Sequence, residues 1–309
     1  MSRVAIPALE DRASLGIAMI LVAWLFFSMI DTSVKWLVLA GLPAMQLAFM
    51  RYVGHFFIST WLVMRGGLDA ERFQTDRLGL VLFRAYLLTS STALNFLALL
   101  YLPLTVTASI MFTSPILVCL LGWPMLGERA GPWRVFGIVL GFVGVLVVMR
   151  PFGAEFHWAM LLSLHNALAM ALYSILTRKL AGVVSTEIMQ FYMGLFGTAV
   201  LLPVAVYYWS NPSTALDWVL MILLGVFGWA GHELLTRAHR FATANTLMPY
   251  AYFFLLFLSV SGYLIWGHLP DRPTLIGAAI IIGSGLLIWV RTRLHSTSKQ
   301  AATRSSVSK

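Results

Sequence analysis

Apolar runs of membrane-spanning length follow one another along nearly the whole chain, parted by short segments rich in Arg, Gly and Pro. A helix rising about 1.5 Å per residue needs about 20 residues to cross a hydrocarbon core of ~30 Å. Ten runs come close to that length: 15–39, 42–64, 78–100, 103–126, 132–149, 157–180, 186–208, 217–237, 243–266 and 273–291. In lipid a single segment satisfies its backbone polar groups only as a helix. The expected fold class is therefore an all-α integral membrane protein with ten transmembrane helices. The first run is too long for a signal-peptide core and no small-residue cleavage pattern follows it, so it reads as a retained helix.

Composition agrees: 60% of the 309 residues are hydrophobic and 11% charged, against roughly a quarter charged in soluble domains. The net charge of +9 would suggest nucleic acid in a soluble protein, but the loops account for it. With a cytoplasmic N-terminus, the cytoplasmic segments hold Arg3, Arg12, Arg65, Arg72, Arg77, Arg129, Arg134, Arg178, Lys179, Arg237, Arg240, Arg291, Arg293, Lys299, Arg304 and Lys309. The opposite side holds Lys35, Arg150 and Arg272. This positive-inside bias puts both termini in the cytoplasm, in a multi-pass inner-membrane protein, and removes the case for a nucleic-acid partner. The lone Cys119 excludes an internal disulfide and a cysteine metal cluster.

An internal repeat organises the runs. Shifting "LTVTASIMFTSPILVCLLGWPMLGERAGPWRVFGIVLGFVGVLVV" by about 140 residues lays Gly127 on Gly267 and Gly137 on Gly277 of "ANTLMPYAYFFLLFLSVSGYLIWGHLPDRPTLIGAAIIIGSGLLIWV". The division expected is an N-terminal segment 1–14, a first five-helix repeat 15–149, an external linker 150–156, a second repeat 157–293 and a polar tail 294–309. Five is odd, so the second repeat enters the membrane from the opposite side. Two inverted repeats around a central cavity are the architecture of many alternating-access carriers.

Polar residues interrupt the runs in register. Trp24, Ser28, Asp31 and Lys35 share one helix face, Arg51, His55 and Ser59 another, and Arg84, Ser91 and Asn95 a third. Ions facing lipid cost several kcal/mol, so these faces should meet inside the bundle. Asp31 and Arg51 each lie roughly 12–14 Å below the same surface, which makes them a candidate pair, with Lys35 left to reach outward. His165 falls at a similar depth, and Arg84 and Glu233 form a second candidate pair near the other face. These charges either lock the helices together or line a wet cavity that binds or gates a polar solute.

Pro115 and Pro249 should bend the fourth and ninth helices, and Gly137, Gly141 and Gly144 permit close approach of a neighbour. Tyr173, Tyr250 and Tyr252, with Trp24 and Tyr101, are candidate walls of an aromatic cavity. Enzyme readings find little support. "HELLTRAH" has Thr236 where a zinc-protease helix needs its second histidine, and His239 lies about 10.5 Å along the axis from His232. No Gly-x-Ser-x-Gly elbow or P-loop is present. No cofactor is called for.

The segments "MIDTSVKWL", "AFMRYVG", "FRAYLLTSS" and the block running through Leu126, Gly127 and Glu128 resemble the drug/metabolite transporter superfamily, in its ten-helix EamA branch. That resemblance implies a secondary transporter with two EamA repeats, a central cavity and alternating access. It carries Asp31, Lys35, Arg51, Arg84, Pro115 and Glu128 over as family-type positions, while His268 stands where the second repeat often has its glutamate. Family substrates include amino acids and their analogues, S-adenosylmethionine, riboflavin, nucleotide-like metabolites and toxic cations. A small zwitterion such as an amino acid is the first expectation, because Asp31 and Arg51 offer both signs. A larger metabolite is the second, and a membrane-embedded enzyme or sensor the third. A monomer or weak homodimer in the bilayer is expected.

Overall fold

The computed structural model describes residues 13–65, 75–126, 132–150, 156–180, 183–241, 247, 250–251, 253–287 and 290. Every regular element among them is helical. They are α1 (Ala13–Leu39), α2 (Ala44–Arg65), α3 (Leu78–Tyr101), α4 (Leu104–Met111), α5 (Ser114–Leu126), α6 (Pro132–Met149), α7 (Ala159–Leu180), α8 (Thr186–Tyr207), α9 (Ala215–Phe241), α10 (Phe253–Trp266) and α11 (Arg272–Leu287). Six are long and apolar enough to cross a membrane: α1, α2, α3, α7, α8 and α9. The expected fourth span is divided, with Phe112 and Thr113 separating α4 from α5. Pro115 has no N–H to continue the helix across that junction; its side chain, like Pro249, Tyr252 and Glu128, lies outside the described residues.

Local chemistry sets the helix ends. Gly41, at φ 92°, closes α1: its N–H reaches Val38 O at 3.1 Å and that of Leu42 reaches Leu37 O at 3.0 Å. This is the paired bonding of a glycine C-cap, with Leu37 and Leu42 buried together beneath it. Thr214 and Asp217 cap α9 reciprocally. The Asp217 carboxylate accepts from the Thr214 N–H at 3.2 Å, and the Thr214 hydroxyl oxygen accepts from the Asp217 N–H at 3.1 Å.

The helices interlock across the two halves of the chain. The main contacts join α1 to α9, α2 to α8 and α9, and α3 to α7 and α8. Exchanging α1, α2 and α3 for α7, α8 and α9 maps this set onto itself. Glycines allow the closest approaches. A Cβ on Gly54 would stand 2.7 Å from the Cα of Gly225, and one on Gly144 would stand 2.9 Å from the Gly277 carbonyl. Gly141 and Gly144 of α6 thus face α11, consistent with their small-residue spacing.

Direction follows from contacts at one end of the bundle. Trp36 near the end of α1 donates to Asp217 at the start of α9 at 3.0 Å, and Tyr101 at the end of α3 stacks on His157 just before α7, centroids 5.2 Å apart. So α1 and α3 end where α7 and α9 begin. Large apolar side chains such as Phe57, Leu146, Val206 and Leu264 face outward, while Asp31, Arg51 and Arg84 are buried. This is the distribution of a protein whose solvent is lipid.

Candidate solute-binding site

The polar faces meet in one buried cluster. Asp31 is 8% exposed, Arg51 7%, Arg84 4%, His232 3% and His55 2%. On α2, Arg51 and His55 fall one turn apart on the face turned toward α3, α8 and α9.

Arg51 does not form an ion pair with Asp31. Its Nη1 donates to the Thr92 hydroxyl at 2.6 Å and its Nη2 to His232 Nε2 at 3.2 Å. A guanidinium only donates, so His232 accepts at Nε2. Gly228 makes room, because a Cβ there would come within 3.2 Å of Arg51 Nε. Tyr52 closes the same corner. Its hydroxyl lies 3.1 Å from Thr92 Oγ1, and its ring lies against Gly197, where a Cβ would stand 2.3 Å from a ring carbon.

The Asp31 carboxylate instead receives the Asn95 amide, at 3.3 and 3.4 Å to its two oxygens. The Asn95 carbonyl oxygen accepts from Asn166 Nδ2 at 3.1 Å, and the Asn166 carbonyl oxygen accepts from the Ser91 hydroxyl. A hydrogen-bonded chain therefore runs from α1 through α3 to α7.

Arg84 also departs from its expected partner. Its Nε donates to Thr177 at 2.8 Å, its Nη2 donates to the Tyr173 hydroxyl, and its charge sits 4.2 Å from the Tyr173 ring centre. Glu233 turns away and accepts from Arg237 at 2.7 Å on the exposed side of α9. The reason is rotational: His232, the residue before it and about 100° round the helix, takes the inward face.

Lys35 stays inside rather than reaching outward, its Nζ donating to the carbonyls of Leu99 at 2.6 Å and Leu102 at 3.0 Å. These are the open carbonyls at the end of α3, where a cation is favoured. His165 meets Ser90 at 3.2 Å on the half-buried side of α7. Tyr250 stacks on Phe253 and packs against the small group of Ile20, Ala238 and Leu247, away from the cluster.

Residues without an earlier role complete the site. His232 stands at its centre, touching Arg51 and facing the rings of Phe27 at 5.0 Å, His55 at 6.2 Å and Tyr173 at 6.2 Å. Asn166, Thr92 and Gln190 are the others. A surface cleft of about 420 Å³ beside Arg77, Ser185 and Ile188 lies elsewhere and includes none of these side chains.

Two segments of the chain, 14–150 and 157–290, match the model of the EamA-like transporter family. The chain belongs to that family. It therefore carries two EamA repeats, and its relatives are named as transporters rather than enzymes. It is 28% identical to the S-adenosylmethionine uptake transporter of Rickettsia bellii, over 89% of this chain and 93% of that one. It is 26% identical to the riboflavin transporter of Rhizobium johnstonii, over 97% and 99%, and 27% identical to the pseudopaline exporter of Pseudomonas aeruginosa, over 88% and 95%. A solved crystal structure shares the fold with a TM-score of 0.65 at 18% identity, over 92% of this chain and 99% of its own. This is thus a multi-pass membrane protein of a family that moves small metabolites.

Proposed function

We propose that this chain is a secondary transporter that carries a small organic metabolite across the bacterial inner membrane by alternating access between two inverted five-helix repeats. The observation that carries the reading is the buried cluster of Asp31, Arg51, Arg84, Asn95 and His232, drawn from both repeats and enclosed between them. Buried ionisable groups within a membrane are costly, and a solute path is their usual reason. Support for the inversion comes from the exchange of equivalent contacts and from α1 and α3 ending where α7 and α9 begin. The bias of basic residues supports cytoplasmic termini.

An amino-acid-like zwitterion is the first substrate candidate, with Asp31 receiving its ammonium group and the guanidiniums its carboxylate. A larger metabolite is the second reading, favoured by relatives named for S-adenosylmethionine and riboflavin. The test is flux in liposomes containing the purified protein, with labelled amino acids, S-adenosylmethionine and riboflavin supplied in turn. Saturable accumulation of one class names the substrate. No flux of any class above protein-free liposomes rejects the proposed substrates.

A further inference from the structure

The cluster contains more positive than negative charge. Among the described residues its one carboxylate is Asp31, set against the guanidiniums of Arg51 and Arg84. Neither guanidinium has an acid within ion-pair distance there. Lys35 adds a third cation nearby, and the carbonyls ending α3 engage it.

The two guanidiniums engage neighbouring rings. Arg51 touches His232, Arg84 touches Tyr173, and the rings of those partners are 6.2 Å apart. Each arginine also keeps a buried nitrogen with no hydrogen-bond partner, Nε of Arg51 and Nη1 of Arg84. Helix packing leaves these donors unused, and leaving a charged donor unpaired away from water is costly. Two like charges held near each other in a poorly screened interior add to that cost. An oxyanion removes both costs, since its oxygens accept from two guanidiniums at once.

We propose that the cluster binds a carboxylate of its solute between Arg51 and Arg84, so that the preferred cargo is a carboxylic acid rather than an amine or a neutral molecule. This rests on the transport reading and narrows it. The carboxylate accepts from Arg51 Nε and Arg84 Nη1, while the chain from Asp31 to Ser91 remains for the cargo's amine or hydroxyl groups. Asp31 alone, with one amide partner, does not balance two guanidiniums, which is why an anion and not a cation completes the site.

The test uses the full-length protein in detergent and its melting temperature, which a ligand of the native state raises. The probes are L-leucine, L-phenylalanine and L-glutamine, each beside its carboxamide and its acid lacking the amino group. Expected is a rise with at least one amino acid and with its deamino acid. Its carboxamide should bind about tenfold more weakly, the loss of one charge-assisted contact. Arg84→Lys should keep part of the rise and Arg84→Gln should abolish it. Should neither variant fold, the acid-to-amide comparison on the native protein still decides. Equal response to acid and amide, response to amides alone, or no response to any acid overturns the proposal. Flux in liposomes separates the two readings. Amides carried as well as acids leave a transporter without this anion subsite, whereas acids that bind without flux leave the subsite and remove the transporter.

Discussion

The guanidinium of Arg51 on α2 donates to the imidazole of His232 on α9 at 3.2 Å, which ties the first repeat to the second at the centre of the bundle. His232 is the acceptor, so a side chain that cannot accept leaves Nη2 buried and unpaired. His232→Phe should destabilise the protein by about 1–3 kcal/mol and stop transport. His232→Gln, which offers a carbonyl, should recover most of the stability. Denaturation midpoints of the two variants in detergent check this, and equal loss in both refutes the acceptor role.

Lys35 donates from its Nζ to the carbonyls that end α3. Lys35→Met leaves the Leu99 and Leu102 carbonyls without their donor, so the loss should be about 1–3 kcal/mol of stability. Transport per folded molecule should stay within about twofold, because the side chain touches neither Arg51 nor Asp31. Flux normalised to the folded fraction measures the second part.

Gly54 and Gly225 hold α2 against α9. A methyl on Gly54 has no flexible neighbour to displace, only the Gly225 backbone. Gly54→Ala should cost about 1–3 kcal/mol by overpacking and slow transport by forcing the halves apart. A midpoint unchanged from the native protein would show that the helices can slide without loss.

Asp31 and Arg51 lie in a single buried cluster, as their depth along α1 and α2 predicts, since rise per residue is fixed by helix geometry. Depth does not give rotation about the helix axis, and rotation decides partners. Arg51 turns to Thr92 and His232, Arg84 to Tyr173 and Thr177, and Glu233 outward. His232 carries no local signal, because Arg51 is 181 residues away along the chain. Asn166 hides beside His165, and only packing reveals that Asn166 joins the buried chain through Asn95 while His165 meets Ser90. Helices of even apolarity conceal such faces, because lipid and protein interior both favour apolar side chains.

At the end of the bundle, Arg150 pairs with Asp271, joining the end of α6 to the start of α11. Burial opposes charge on Asp271, but hydrogen bonds from Thr274 and Arg150 outweigh it and hold the carboxyl below its ordinary range. A depressed folded pKa adds stability above the unfolded value of about 3.9, and that stability is lost as pH falls through the folded value. The pair is partly exposed, so the amount is at most ~1 kcal/mol. Asp271→Asn should melt slightly below the native protein at pH 7, by a margin that narrows as the pH falls through the carboxyl's folded value. A gap that widens on acidification rejects this pairing.

The decisive question is whether the central cluster opens in turn to each side of the membrane or only locks the helices. Ser91→Cys in a Cys119→Ser background places one thiol on the chain that links Ser91, Asn166, Asn95 and Asp31. A membrane-impermeant thiol reagent is then applied to right-side-out and to inverted vesicles. Labelling from both sides, slowed in both by a transported solute, is expected of a carrier that alternates. A thiol that reacts from neither side in the folded protein would identify the cluster as a static lock and end the transport reading of these residues.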